Sequence, residues 1–226
     1  VFLGGVTDVV LSVLNLELTN LQASTYFGDN LNYDKFGALY TDGSHVYVVG
    51  WTPDADFPVT SGVFQESKGG DGTYEGFISK FNIGTLVQKA TSYLGGGGVD
   101  KPRDITACDG YLCIVGYTAS GDFPTTVAPI YQASNQAWDD AFVSKINTTL
   151  TTLVKSTYLG FNDDDVGYSI VYNASEDSVI VAGHTDSTNF VTTGGFDGTS
   201  NGGRDVFITK LDSDLVNVTA STYLGG

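Results

Sequence analysis

One pentapeptide recurs four times along this chain and limits what it can become. Ser24-Thr25-Tyr26-Phe27-Gly28 returns as Thr91-Ser92-Tyr93-Leu94-Gly95, as Ser156-Thr157-Tyr158-Leu159-Gly160 and as Ser221-Thr222-Tyr223-Leu224-Gly225, with tyrosines 67, 65 and 65 residues apart. Further landmarks keep that phase. Gly50-Trp51-Thr52, Gly116-Tyr117-Thr118 and Gly183-His184-Thr185 form one set, and Asp56-Phe57-Pro58, Asp122-Phe123-Pro124 and the degenerate Asn189-Phe190-Val191 another. A third set is Asp8-Val9-Val10-Leu11-Ser12, Glu75-Gly76-Phe77-Ile78-Ser79, Asp140-Ala141-Phe142-Val143-Ser144 and Asp205-Val206-Phe207-Ile208-Thr209. Landmarks in one order at one period mean that a single supersecondary unit is reiterated, burying its apolar surface against its neighbours.

Inside a period the apolar runs are short and bounded by turn residues, which is the pattern of strands. In the last repeat they read as strand A over 167–172, B over 178–183, C over 206–211 and D over 216–223, with a long B–C loop such as 56–74, rich in Gly, Ser, Asp and Pro. Loops of that kind lie on the surface, where binding usually concentrates. Four strands per unit predict an all-β fold, a β-propeller built of four-stranded antiparallel blades. The blades fall at 29–95, 96–160 and 161–226, and residues 5–28 match only strands C and D, aligned with 202–225 at a constant offset of 197. About three and a half blades leave exposed sheet edges and uncovered apolar faces. The expected partners are therefore further blades of the same longer chain, or other copies in an assembly.

These residues resemble the SBBP repeat, named for the seven-bladed β-propeller and found in secreted and cell-surface microbial proteins. The resemblance rests on the Tyr-Leu-Gly-Gly ending, the Val-x-Gly-x-Thr strand end, the Asp-Phe-Pro loop and the Asp-x-Phe-[Ile/Val]-[Ser/Thr]-Lys strand, and it covers nearly the whole chain. Two departures touch single contacts: Val13 replaces the lysine of Lys80, Lys145 and Lys210, and Val191 replaces the proline. The periods and signature residues of tryptophan-aspartate and kelch repeats fit less well.

Composition narrows the partners. A formal charge of −16, from 26 acidic against 10 basic residues, repels phosphate backbones and anionic headgroups, which argues against nucleic acid and against direct membrane binding. No apolar stretch reaches the roughly 20 residues that span a bilayer. The opening Val1-Phe2-Leu3-Gly4-Gly5 lacks the basic and apolar regions of an export signal, so an exported protein would carry its signal elsewhere or have lost it. Cys108 and Cys113 bracket Asp109-Gly110, a strong hairpin dipeptide, so a disulfide across that hairpin is the expectation and two buried thiols the alternative. Three N-glycosylation sequons begin at Asn147, Asn173 and Asn217 near turns or strand surfaces, implying N-linked glycans and an extracellular or cell-surface location.

Catalytic signals are sparse. The densest acidic run, Asn162-Asp163-Asp164-Asp165, offers Asp163, Asp164 and Asp165 as candidate calcium ligands; a solvated acidic turn is the plainer reading, and its counterparts at Asp29-Asn30 and Asp100 carry fewer carboxylates. His184 stands where Trp51 and Tyr117 stand, which points to packing, and His45 sits in a turn. Neither has zinc-ligand spacing to a partner. No nucleophile elbow or phosphate loop occurs. Phe57, Phe123 and Phe190 read as packing residues. The functional expectation is an extracellular structural glycoprotein, a propeller-repeat scaffold of a surface protein or filament without catalytic residues or a required cofactor. A carbohydrate-binding or carbohydrate-cleaving propeller and a protein-binding ectodomain are the alternatives.

Overall fold

A computed structural model describes residues 7–28, 33–70, 74–127, 130–136, 138–190 and 192–225. The readings at Val1–Gly5, Asp29-Asn30 and Val191 lie outside the described residues. Within them every regular element is a strand: β1 (Val9–Leu14), β2 (Leu21–Phe27), β3 (Lys35–Thr41), β4 (His45–Thr52), β5 (Glu75–Asn82), β6 (Gln88–Leu94), β7 (Asp100–Cys108), β8 (Tyr111–Thr118), β9 (Asp140–Ile146), β10 (Leu153–Leu159), β11 (Asp165–Asn173), β12 (Ser178–Thr185), β13 (Asp205–Asp212) and β14 (Val218–Leu224). They form one two-stranded sheet, β1-β2, and three four-stranded sheets in the orders β3-β4-β5-β6, β7-β8-β9-β10 and β11-β12-β13-β14. Every pairing between neighbouring strands is antiparallel, and no sheet closes on itself.

The repeat reaches down to irregularities. In each four-stranded sheet the first strand carries one extra residue at the same place, Gly37, Arg103 or Tyr168, and the fourth strand another, at Lys89, Val154 or Thr219. Such bulges sharpen twist and re-aim side chains. The recurring glycine of β4, β8 and β12 has a steric reason: a β-carbon on Gly50, Gly116 or Gly183 would lie 2.1, 2.2 or 2.0 Å from the backbone oxygen of Lys35, Lys101 or Val166 in the first strand. The fourth strand of the last sheet starts at Val218, not at Val216 as the sequence pattern suggests, because Asp212 Oδ1 accepts hydrogen bonds from the N–H groups of Val216 and Asn217 and holds them in the turn.

The long loop between second and third strands has a structural task. It runs back along the outer edge of its own sheet: Thr60 N and Tyr93 N bond Thr91 O and Gln65 O beside β6, Thr126 N and Tyr158 N bond Ser156 O and Gln132 O beside β10, and Thr193 and Ser221 exchange both backbone bonds beside β14. An otherwise unpaired strand edge, which would recruit a foreign strand, is thereby covered.

The sheets stack in chain order, β7 lying on β3 and β4, and β11 on β7 and β8. Strand alternation feeds both sides of each inner sheet. In β4, Val46 and Val48 enter the layer shared with β1-β2, whereas Tyr47 and Val49 enter the layer shared with the third sheet. In β8, Leu112 and Ile114 face back and Cys113 and Val115 face forward. A strand covered on both faces reads as a nearly continuous apolar run, which is why β4 and β8 show little polar alternation. The landmark phenylalanines close each layer: Phe57 on Phe77, Phe123 on Phe142 and Phe190 on Phe207, with ring centroids 4.5, 4.4 and 4.5 Å apart. All three are buried in packing.

Candidate functional site: the stacking faces

What the repeats present to one another is a composite surface, assembled from residue types that recur at fixed positions. Its apolar part includes a leucine in the turn before β2 and before the fourth strand of each four-stranded sheet. Leu18, Leu86, Leu150 and Leu215 all adopt left-handed backbone angles, φ 57°, 51°, 61° and 57°, which cost an L-residue roughly 1–2 kcal/mol. The conformation throws the side chain across the junction onto the preceding sheet, where Leu86, Leu150 and Leu215 are buried. The preceding sheet's loop grips the same turn, since Phe64 N donates to Leu150 O and Tyr131 N to Leu215 O, each at 2.8 Å. Asn82, Asn147 and Asp212 shape these turns by accepting two backbone N–H bonds each.

A lysine adds a polar clasp. Lys80 Nζ donates to Thr148 O at 3.0 Å and Lys145 Nζ to Ser213 O at 3.2 Å, each reaching the turn of the following sheet. Lys145 is buried and its ammonium lies 4.9 Å from the Tyr111 ring. In the last sheet Lys210 pairs instead with Glu176 of its own sheet. The landmark tyrosine pins the loop end: Tyr158 Oη donates to Ser120 O at 2.7 Å and accepts from Phe123 N at 3.1 Å, while Tyr93 and Tyr223 donate to Asp54 O and Ser187 O. Burial pushes the Tyr158 hydroxyl up to about 12.

Carboxylates occupy the same junctions, at the end of the sheets where first strands begin. Asp100 and Asp165 open their strands, and Glu75 and Asp140 open the third strands of the preceding sheets; all four are buried. A β-carbon on Gly95 would lie 2.5 Å from Asp100 Oδ2 and 2.6 Å from Glu75 Oε1, so only glycine fits over that pair. Asp100 accepts from Thr118 Oγ1 (2.5 Å), Gly96 N (2.8 Å) and Ser120 Oγ (2.9 Å); Asp165 Oδ2 accepts from Phe161 N and Ser187 Oγ. Burial, with Asp100 nearby, raises Glu75 to about 7; burial, with Asp165 nearby, raises Asp140 to about 7; burial raises Asp165 to about 6 and lifts Asp100 against its own hydrogen bonds. Removing carboxylates from water close to one another favours their neutral forms.

The same surface is open at both extremes of the stack. On β1-β2, Val10, Leu14, Leu18 and Tyr26 hold the positions of Phe77, Phe81, Leu86 and Tyr93. Leu18 is 74% exposed where Leu86 is 5%, and Tyr26 41% where Tyr93 is 1%. On the last sheet Ile208 and Leu224 are 37% and 43% exposed, whereas Ile78 and Leu94 are fully buried. Position for position, each outer face carries apolar residues where the inner faces carry covered ones.

The sites expected from the sequence are distributed as follows. Cys108 and Cys113 are joined, diagonally across the β7–β8 hairpin, with Cα atoms 5.8 Å apart; Asp109 and Gly110 make the turn with φ 47° and 77°. Asn147, Asn173 and Asn217 all lie at the turn end of the sheets, away from the junction carboxylates. Asn147 Nδ2 is engaged by Thr151 Oγ1 and Asn217 Nδ2 by Asp212 Oδ2, while Asn173 Oδ1 accepts from both Ser175 N and Ser175 Oγ, leaving that sequon folded as a compact turn. Asp163, Asp164 and Asp165 diverge: Asp165 points into the junction, Asp164 Oδ1 accepts from Asp139 N at 3.4 Å, and Asp163 is exposed with its Oδ1 on Asp164 N. Among the described residues no three His, Cys, Asp or Glu side chains converge as metal ligands would. His45 caps its turn with Asp42 at 3.3 Å, and burial lowers His184. The leucine turns escaped the sequence reading, although Leu86, Leu150 and Leu215 keep the repeat phase; Glu75, Asp100, Asp140 and Asp165 were read as landmarks or as an acidic run, but not as carboxylates buried together at the junctions, although Asp100 and Asp165 each follow a landmark glycine by five residues. No known family model matches the chain, and no curated protein matches it in sequence.

Proposed function

We propose that the chain is a run of β-propeller blades of the SBBP type, working as a structural scaffold in an extracellular glycoprotein. Each four-stranded sheet is one blade, the first strand innermost, and β1-β2 the outer half of another. The observation that supports this reading is the burial contrast: side chains fully covered at inner junctions stand exposed at both outer faces, together with an unburied lysine and leucine turn that repeat the inner clasp. Further blades of the same chain, or of another copy, cover those faces. Stacking of sheets is itself the activity, since a surface of this kind orders one unit against the next without chemistry. The disulfide is compatible with an oxidising compartment. Among the described residues no helix is long and apolar enough to cross a membrane.

Two measurements test the proposal. Sedimentation and electron microscopy of the purified chain should show end-to-end association or a closed ring, and Ile208→Asp with Leu224→Asp should abolish it. A chain that stays monomeric at high concentration with both faces intact would refute the stacking role. The protein recovered from its source should lose mass on treatment with an N-glycan-removing enzyme, with Asn173 among the occupied sites; an unmodified mass would refute the glycoprotein reading.

A further inference from the structure

A separate group of side chains gathers at the loop end of the first and second strands. Arg103 is the bulge residue of β7, and its guanidinium lies 4.8 Å from the Trp51 ring, 5.3 Å from Tyr117 and 5.7 Å from Tyr168. Lys101, two residues earlier, places its ammonium 4.9 Å from Tyr74, 5.5 Å from Tyr117 and 5.9 Å from Trp51. The His184 ring is 5.3 Å from Tyr168.

Charge makes this group unusual within the molecule. The chain has two arginines. Arg204 is engaged, donating to both Asp186 oxygens at 2.9 and 2.7 Å. Among the described residues Arg103 and Lys101 join no ion pair, in a chain with 26 acidic residues, and Arg103 Nε is buried with no hydrogen-bond acceptor. The field of Lys101 reaches Asp139, but burial and Asp164 outweigh it and keep that carboxyl raised. A buried N–H without an acceptor costs roughly 1–3 kcal/mol; among the described residues the terminal nitrogens of the same guanidinium have no acceptor either and are not buried, so they are what an anion arriving from outside would meet. Beside it Tyr168 is 49% exposed and offers a flat apolar face.

We propose that this cluster binds an acidic saccharide, with a pyranose ring packed on Tyr168 and its carboxylate or sulfate accepting from Arg103 and Lys101. A planar guanidinium gives an oxyanion two directed hydrogen bonds, and an aromatic face takes the apolar side of a sugar ring. A neutral sugar leaves Arg103 unsatisfied; a free anion makes no use of the ring. The inference stands on these positions alone and holds whether or not the sheets continue into further blades.

The test uses the whole chain carrying Trp138→Phe, which leaves Trp51 as its one tryptophan. Its emission is followed while trigalacturonate, a sulfated heparin disaccharide or neutral maltotriose is added at 0.15 M salt. Saturable change with trigalacturonate, with the sulfated sugar or with both, and none with maltotriose, is the expected result; which of the two acts identifies the anion. Arg103→Gln and Tyr168→Ala should each weaken binding by about tenfold or more, whereas Lys89→Gln, an exposed cation on β6, should leave it unchanged. Should Arg103→Gln fail to fold by circular dichroism, Tyr168→Ala decides, because its ring is half exposed. No response to either acidic sugar, an equal response to maltotriose, or full binding by Tyr168→Ala would overturn the proposal.

Discussion

Replacing the turn leucines one at a time separates stacking from local turn geometry. Leu18 and Leu150 share a residue type, a position in the repeat and a left-handed backbone, φ 57° and 61°. They differ in what lies across the junction: Leu150 is fully buried with Tyr47, Val49 and Ile78 in its layer, and Leu18 is exposed. The backbone strain of alanine in that region is the same at both sites, so it cancels in the comparison. What remains for Leu150→Ala is the lost transfer of the side chain plus a cavity against the preceding sheet, about 3–4 kcal/mol. For a chain of this length that lowers the melting temperature by roughly 10 °C. Leu18→Ala should change stability by no more than about 0.5 kcal/mol when the protein is dilute. Calorimetry and urea titration of both variants would read the difference. Equal losses at the two sites would refute the reasoning, since they would mean that leucine stabilises its own turn and not the neighbouring sheet. A matching loss at Leu18 that emerges only at high protein concentration would instead show that a second copy covers it.

Three further outcomes are expected. Burial raises Glu75 and Asp140 to about 7 and Asp165 to about 6, so the stability they favour is complete below the ordinary carboxylate range and is lost as pH rises through about 7; melting should be higher at pH 5 than at pH 8, and Asp140→Asn should shrink that difference by roughly 2–3 kcal/mol, whereas an unchanged difference would contradict the assignment. Lys145→Met should cost about 1–3 kcal/mol in denaturant titrations by leaving Ser213 O without its donor, and Lys210→Met should cost little, because its partner Glu176 is exposed; equal costs would remove the clasp. Reducing the Cys108–Cys113 bridge closes off a constraint on only a short loop, so a reductant should lower stability by about 2 kcal/mol, and a melting temperature indifferent to reductant would contradict this.

Much of the architecture was legible because it is written in local chemistry. Strands follow from short apolar runs, Asp109-Gly110 turns the chain because both positions accept positive φ, and the cysteines flanking it are brought within bonding reach by that turn. The phase of the tyrosine-glycine segments announces a repeated unit, and the packing role of Phe57, Phe123 and Phe190 follows from their place in it. What stayed hidden depends on residues some 65 positions apart. Lys80 is visible as a repeated lysine, yet its acceptor, Thr148 O, lies in the next sheet. The long loops look like binding segments until they are seen lying along the edges of β6, β10 and β14. Asp163, Asp164 and Asp165 form one acidic run in the sequence and take three directions in space. Arg103 becomes distinctive only when a bulge turns it onto rings from neighbouring sheets. Periodicity and turn chemistry are properties of neighbouring residues and can be read one after another; burial, unpaired charge and the identity of a facing surface are set by which sheet lies against which, and that is decided only when the sheets stack.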